Sequence, residues 1–347
     1  MEISLIKYEL IISRNIIKKY ETNKIFVLVD ENTNKFCFPV LRKIIKNEDI
    51  LLIKIKSGED NKSIEAVIKI WDFLSNNGAN RKSLLVNLGG GMVCDIGGFA
   101  ASTFKRGIDF INIPTTLLAQ VDASIGGKTG FNFNKLKNEI GLINPSVHII
   151  IDTIFLKTLD KKNILAGYAE MMKHALISDE NHWNEIKNID IFSISKSGLT
   201  DIIKKSINIK KQIVIKDPYE KGIRKALNFG HTFGHAFESF ALSKNQQLLH
   251  GEAVALGIIP ELFLSYKKLG FSYNKLEEIS NFIISKYSKF PIMPSEYTQI
   301  INFMKHDKKN EDNRIMFTLL ENIGNVKIKT YCSENEIIEA LDFYNKL

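Results

Sequence analysis

Between Arg224 and Gly251 the chain reads RKALNFGHTFGHAFE and then LLHGEAVA, a window that holds His231, His235 and His250, three of the seven histidines in the sequence. Imidazole is the commonest nitrogen ligand for a transition metal and carries protons near neutral pH, so chemistry is expected here first. The four-residue spacing of His231 and His235 suits one metal ion if the segment is helical. Thr232 stands where the zinc-protease signature HExxH needs glutamate, which argues against peptide hydrolysis. Upstream, Glu170, Lys173 and His174 would share a helix face, a spacing that a solvated ion pair also explains.

A second group lies earlier. Ser83 to Leu88 reads as a strand that runs into Gly89, Gly90 and Gly91 and then a helix-like MVCDIGGFAAST. Strand, glycines and helix let backbone N–H groups approach a pyrophosphate. Cys94 occupies the third glycine position of a GxGxxG fingerprint, so a tight structural turn explains the pattern equally well. Asp30 at the end of an early strand, with SGED and Lys62 after the next, could hold ribose and adenosine, or could cap and face solvent. SIGGKTG is not an ATPase phosphate loop, because Asp122 falls where the first glycine is required. What remains is a glycine-flanked Lys128 that could reach an anion, followed by Lys137 and Asn138. Arg106 is another candidate anion ligand, with an exposed surface pair as the alternative.

These residues need a scaffold. Apolar runs at KIFVLVDEN (24–32), LLIKIKSGED (51–60), SLLVNL (83–88), FINIP (110–114) and VHIIID (147–152) predict strands. Ile64, Val67, Ile68, Trp71 and Leu74 recur at helical spacing between a capping Ser63 and Gly78. An α/β, Rossmann-like nucleotide-binding domain is therefore expected over residues 1–160. Over 161–347 long helix-period patterns dominate and predict a mainly α-helical domain.

The opening MEISLIKYELIIS alternates apolar and polar residues like a strand and lacks the uncharged core of a secretory signal. No apolar run reaches the roughly 18–20 residues that cross a bilayer, so no membrane contact and a cytoplasmic location are expected. Cys37, Cys94 and Cys332 are odd in number and far apart, which fits a reducing compartment and excludes a CxxC knuckle. The net charge of +8 is spread over lysines along all 347 residues rather than gathered in a basic arm, so nucleic acid is not the expected partner.

The chain resembles the 3-dehydroquinate synthase family. The resemblance rests on GGGMVCDIGGFAASTFKRGIDFINIPTTLLAQVDASIGGKTGFNFNKLKNEIG (89–141), AGYAEMMKHALI (166–177), RKALNFGHTFGH (224–235), LLHGEAVALG (248–257) and HDKKN (306–310), in order over more than two thirds of the chain. It implies a carbon–oxygen lyase that converts 3-deoxy-D-arabino-heptulosonate 7-phosphate to 3-dehydroquinate and phosphate. The steps are transient oxidation by NAD, phosphate elimination, re-reduction and intramolecular aldol closure.

The resemblance also implies site residues. Glu170, His231 and His250 would hold one divalent metal, Zn2+ or Co2+. Asp30, Glu59, Lys62, Gly90, Gly91, Met92, Asp95, Thr115, Thr116, Phe155 and Thr158 would contact NAD, with Lys128 and Lys137 at the same site. Asp122, Lys128, Lys137, Asn138, Lys173, Lys210, Arg224, Asn228, His235 and Lys308 would bind substrate. Of these, Lys128, Lys173, Lys210, Arg224, Asn228 and His235 would act in catalysis. Arg106 would reach into the site of a neighbouring subunit, implying a homodimer. His235 thus moves from the metal to the substrate side. The nearest alternatives are another sugar phosphate cyclase, such as 2-deoxy-scyllo-inosose synthase, and a metal-dependent polyol dehydrogenase, which would consume NAD stoichiometrically.

Overall fold

The computed structural model describes residues 8–9, 24–45, 50–134, 136–305 and 315–347. These form two compact units. One takes in the described residues up to Asp160 together with Lys196–Ile207, and the other comprises Lys161–Ser195 and Asn208–Leu347. Lys196–Ile207 lies on the far side of the division expected at residue 160, because the helix Lys196–Lys216 contributes its first part to the earlier unit.

In the first unit the strands are β1 (Tyr8–Glu9), β2 (Ile25–Asp30), β3 (Ile50–Ile55), β4 (Leu84–Gly89), β5 (Asp109–Pro114), β6 (Lys128–Phe133), β7 (Leu136–Ile143) and β8 (His148–Ile150). Six of them form a parallel sheet in the order β1-β8-β5-β4-β2-β3. Successive side chains in a strand point to opposite faces. Phe26, Leu28 and Leu85 accordingly join Val67, Ile70 and Leu74 of the helix Ile64–Asn76 and Val93, Ile96 and Ala100 of the helix Gly91–Thr103 in one core. Ile25, Val27, Val29, Leu84, Val86 and Leu88 enter a second core with Leu41 and Ile45 of the helix Phe38–Ile45 and with Phe155. Burial on both faces is why these strands read as unbroken apolar runs.

The predicted strands at 24–32, 51–60, 83–88, 110–114 and 147–152 each overlap one of these parallel strands, with β3 and β5 starting one residue earlier and β4 ending one residue later than expected. Of the strand expected at the start, only Tyr8–Glu9 lies within the described residues. Ser63 does precede its helix, but its side chain makes no cap hydrogen bond. The antiparallel hairpin β6–β7 had no counterpart in the sequence reading. Its strands are short on apolar alternation, and β7 is exposed along nearly its whole length. What sets the register is a close backbone pairing of Gly130 with Gly141, where a Cβ on Gly130 would meet the Ile140 carbonyl oxygen at 2.3 Å.

The second unit is mainly helical, as its sequence periodicity predicts. Its centre is the helix His250–Leu269, which contacts the helices Lys161–Ser178, His231–Ser243, Tyr273–Lys286 and Glu334–Lys346 and the strand β9 (Met316–Asn322). β9 pairs antiparallel with β10 (Asn325–Tyr331). Residues Ala253 to Leu262 of the central helix are all buried, so this part of the helix is enclosed on every side rather than amphipathic. Among the described residues, no helix is long and apolar enough to cross a membrane.

Candidate functional site

The second unit buries Glu170, Lys173, His174, Lys210, Arg224 and His231. Burying charged groups is costly unless they are paired or hold an ion, so such a concentration marks a site rather than a core. Glu170 is fully buried, and its Oε1 lies 3.7 Å from His231 Nε2 and 3.6 Å from His250 Nε2. Glu170 Oε1 lacks a hydrogen-bond donor, whereas Lys173 Nζ forms an ion pair with Oε2. Both ring nitrogens turned toward Glu170 are Nε2, and the opposite nitrogens are engaged. His231 Nδ1 lies 3.1 Å from the Phe229 carbonyl oxygen, and His250 Nδ1 lies 3.4 Å from Glu238 Oε2. Donation of Nδ1–H to these acceptors leaves the Nε2 lone pairs facing the carboxylate.

Three main-chain features hold this arrangement. His231 opens the helix His231–Ser243 immediately after Gly230, which adopts φ 79°, a left-handed turn that glycine takes without strain. His250 opens the central helix, whose first turn is closed by Glu252 accepting the Leu249 N–H at 3.1 Å. Glu170 projects from the helix Lys161–Ser178, which the central helix meets at Gly251, where no side chain separates it from the Ala166 main chain.

A divalent ion bonded at about 2.0–2.2 Å to three donors in tetrahedral array holds them roughly 3.3–3.5 Å apart. The 3.6 and 3.7 Å separations and the buried Oε1 without a donor fit such an ion. His235 is close as well: ligand nitrogens of His231, His235 and His250 all lie within 4.8 Å of one another. The geometry therefore places His235 in the same cluster as His231 and His250.

Arg224 is buried and donates from Nη1 to the Pro218 carbonyl at 2.6 Å. Its backbone N–H, with those of Lys221 and Gly222, is gathered by Asp217. Burial pushes the Asp217 carboxyl up, but those three N–H donors and the Arg224 charge outweigh it and hold the group below the usual carboxylate range. Asn228 donates to Glu220 at 3.2 Å. Lys308 falls outside the described residues.

In the first unit, β2 and β4 are neighbours whose onward connections leave in opposite directions, to β3 and to β5. That is a topological switch point, where open α/β sheets bind ligands beyond the strand ends. β2 ends at Asp30 and β4 at Gly89. Gly90 precedes the helix Gly91–Thr103 without any side-chain cap, so its first N–H groups are open to an acceptor. A Cβ on Gly90 would stand 3.1 Å from Thr116 Cγ2, and one on Gly97 would collide with Asn87 Oδ1 at 1.9 Å.

Lys62, 4% exposed, bridges Asp95 at 2.6 Å and Asn138 Oδ1 at 2.5 Å, with Glu59 3.8 Å away. Burial alone would lower its pKa, but the charges of Asp95 and Glu59 prevail and raise it. Asn132 ties the same region together: its side chain donates to Glu59 at 3.1 Å and accepts from the Asn138 N–H at 2.9 Å. Asp30 is engaged in a capping box with Thr33. Thr115 and Phe155 are buried and Met92 is half-buried, whereas Thr158, Lys128, Lys137 and Arg106 are exposed.

Sequence reasoning missed Asp217, Glu238 and Glu261. Glu238 sits within the histidine window and could have been found as a carboxylate seven residues after His231. Glu261 is an isolated carboxylate in an apolar helical run, a signal in itself. Asp217 has no such mark, since its role depends on a loop closing back on it.

Models of the two halves of one enzyme match the chain, 3-dehydroquinate synthase N-terminal over residues 52–166 and 3-dehydroquinate synthase C-terminal over 167–310. A 3-dehydroquinate synthase of Parabacteroides distasonis is 49% identical over 328 residues, covering 94% of this chain and 92% of the relative. One of Caldanaerobacter subterraneus is 38% identical over 337 residues, with 94% and 92% covered. The fold is shared with 2-deoxy-scyllo-inosose synthase solved with carbaglucose-6-phosphate, NAD+ and Co2+, at TM-score 0.84, 22% identity and coverage of 98% and 96%. It is shared also with 2-epi-5-epi-valiolone synthase from Streptomyces hygroscopicus, solved with NAD+ and Zn2+, at TM-score 0.80, 23% identity and coverage of 100% and 99%.

Proposed function

The chain belongs to the 3-dehydroquinate synthase family, and from that premise we propose how its residues convert 3-deoxy-D-arabino-heptulosonate 7-phosphate into 3-dehydroquinate and phosphate. The observation that carries the assignment is the convergence of Glu170 Oε1 with the Nε2 atoms of His231 and His250 in a buried interior. Glu170, His231 and His250 hold one divalent ion, Zn2+ or Co2+, and the switch-point residues hold NAD. When bound, the ion lowers the pKa of the ring hydroxyl to be oxidised, and NAD accepts and returns its hydride.

In the second unit, Lys173 balances the charge of Glu170, leaving the cluster less negative toward an anionic substrate. Arg224, positioned by Asp217 and Pro218, serves the substrate carboxylate through its guanidinium. Lys210, Asn228 and His235 complete the polar surface around the sugar acid, and Lys308 is assigned to the substrate by the family resemblance alone. The phosphate can take up the proton released at elimination, so no strong protein base is required for that step. In the first unit, Asp122, Lys128, Lys137 and Asn138 serve as further substrate ligands. Lys62 orients Asp95 and Asn138, and Asp30, Glu59, Gly90, Gly91, Met92, Asp95, Thr115, Thr116, Phe155 and Thr158 face the nucleotide.

Arg106 is exposed at φ 68°, a left-handed conformation that costs a non-glycine residue about 1 kcal/mol or more. That exposure supports a homodimer in which it serves the neighbouring site, to be checked by sedimentation of wild type and Arg106→Ala. Three buried free thiols support a cytoplasmic location.

The deciding experiment measures phosphate release from the heptulosonate phosphate with catalytic NAD. Release that stops on chelation and resumes with Zn2+ or Co2+ is expected. No release, release indifferent to chelator, or net NADH accumulation with a simple polyol would overturn the reading.

A further inference from the structure

The helix His231–Ser243 begins without a local cap. Its N-cap residue is Gly230, which has no side chain to accept the N–H groups of the first turn. Those groups are nevertheless satisfied. Glu261, fully buried in the central helix, accepts the Gly230 N–H at 2.6 Å through Oε2 and the Thr232 and Phe233 N–H groups at 3.0 and 3.4 Å through Oε1. It does the work of an N-cap side chain from 31 residues away in sequence. Three N–H donors converging on one side chain need an acceptor at both oxygens, which a carboxylate supplies.

The position of this cap gives it a further consequence. Glu261 belongs to the helix that His250 opens, and the N–H groups it binds flank His231 on both sides, at Gly230 and at Thr232. One carboxylate thus ties the first turn carrying one imidazole to the helix carrying the other. The two helices also touch without side chains between them. A Cβ on Gly257 would stand 2.3 Å from the Gly230 carbonyl oxygen, and one on Gly234 would stand 3.1 Å from Val254 Cα. Glycine contact sets how closely the two helices approach. The Glu261 hydrogen bonds fix the remaining displacement.

We propose that Glu261 is a positioning residue for the metal centre, setting the interval between His231 and His250 through the Gly230, Thr232 and Phe233 N–H groups. The inference rests on the assignment of Glu170, His231 and His250 as the metal ligands. Outer partners of metal ligands commonly control affinity by about 10–100-fold, and a cap that locks a ligand's own turn acts by the same route.

The test compares wild type, Glu261→Ala and Glu261→Gln for zinc affinity by chelator competition, for the visible spectrum after Co2+ loading, and for melting temperature with and without zinc. Glu261→Ala is expected to weaken zinc binding by about 10-fold or more. It should also alter the Co2+ band and shrink the melting increment that zinc confers. Glu261→Gln retains an accepting oxygen for Thr232 but turns a donor toward another donor, and should lie between. It also keeps the test decisive if the alanine variant fails to fold. A purely structural cap would lower the melting temperature of the metal-free and zinc-loaded proteins alike. Unchanged zinc affinity and an unchanged Co2+ spectrum in a folded variant would overturn the role of Glu261 alone. A wild-type protein that takes up neither zinc nor cobalt would overturn the metal assignment and this role with it.

Discussion

Gly251 lies against the main chain of Ala166, so that a Cβ on Gly251 would stand 2.0 Å from the Ala166 carbonyl oxygen. Gly251 directly follows His250, and Ala166 is one helical turn before Glu170. The contact therefore fixes how far the carboxylate sits from the imidazole across two helices.

Gly251→Ala is expected to push these helices apart, because the obstacle is backbone that cannot rotate away. Overpacking of this kind costs about 1–3 kcal/mol. The expected outcome is a lower melting temperature together with weaker zinc retention, measured by calorimetry and chelator competition. Full zinc retention would show that the Glu170–His250 interval tolerates the shift.

His250→Ala should lose bound metal by elemental analysis, whereas His235→Ala should keep it and lose turnover. The experiment must separate the two because all three imidazoles are near one another: the His231 ring centroid is 5.4 Å from those of both His235 and His250, which are themselves 5.7 Å apart. Metal loss from His235→Ala with retention in His250→Ala would exchange their roles.

Lys62→Met should weaken NAD binding, read as a raised Kd by titration calorimetry, because Asp95 and Asn138 lose their shared cation. The variant should be destabilised by roughly 2 kcal/mol, less than the about 3–5 typical of fully buried pairs, since Asp95 is 20% exposed. The raised pKa of Lys62 means its ion pairs are fully present below the ordinary lysine value. The stability gap to wild type should thus be flat through neutral pH and close only above about pH 10.5. A gap that closes near neutrality would contradict the pairing.

Asp217→Asn should raise KM more than it lowers kcat, since the loop that places Arg224 loses part of its anchor. The Asp217 carboxyl is held below its usual range, so its stabilising contribution is present above about pH 4 and disappears as the pH falls through the lowered value. Wild type and variant should converge in acid unfolding. An unchanged KM would separate Asp217 from substrate binding.

The three thiols should resist a disulfide reagent at pH 8 until the protein unfolds. Cys37, Cys94 and Cys332 are buried, and desolvation pushes Cys37 up to about 11 and Cys332 up to about 12, with Cys94 also raised. Rapid labelling of the native protein would show that one of these sites opens readily.

Much of this protein was legible in its sequence. The parallel strands announced themselves as apolar runs because both faces of the sheet are covered, and the histidine window singled itself out by residue type and spacing. Glu170, His231 and His250 were named together through resemblance of whole motifs, since no spacing rule links residues 170 and 250. Other features depended on how the chain folds. Strand β7 is exposed and pairs with β6 through Gly130 and Gly141, so it leaves no apolar pattern to read. Asp30, a candidate nucleotide ligand by position, is drawn into a cap with Thr33. Local periodicity records which side of an element meets the core. It does not record which backbone outside its own element a side chain will satisfy, and that is why Glu261 on Gly230, 31 residues away, was decided by tertiary structure alone and Asp217 on Arg224 by how the intervening loop closes.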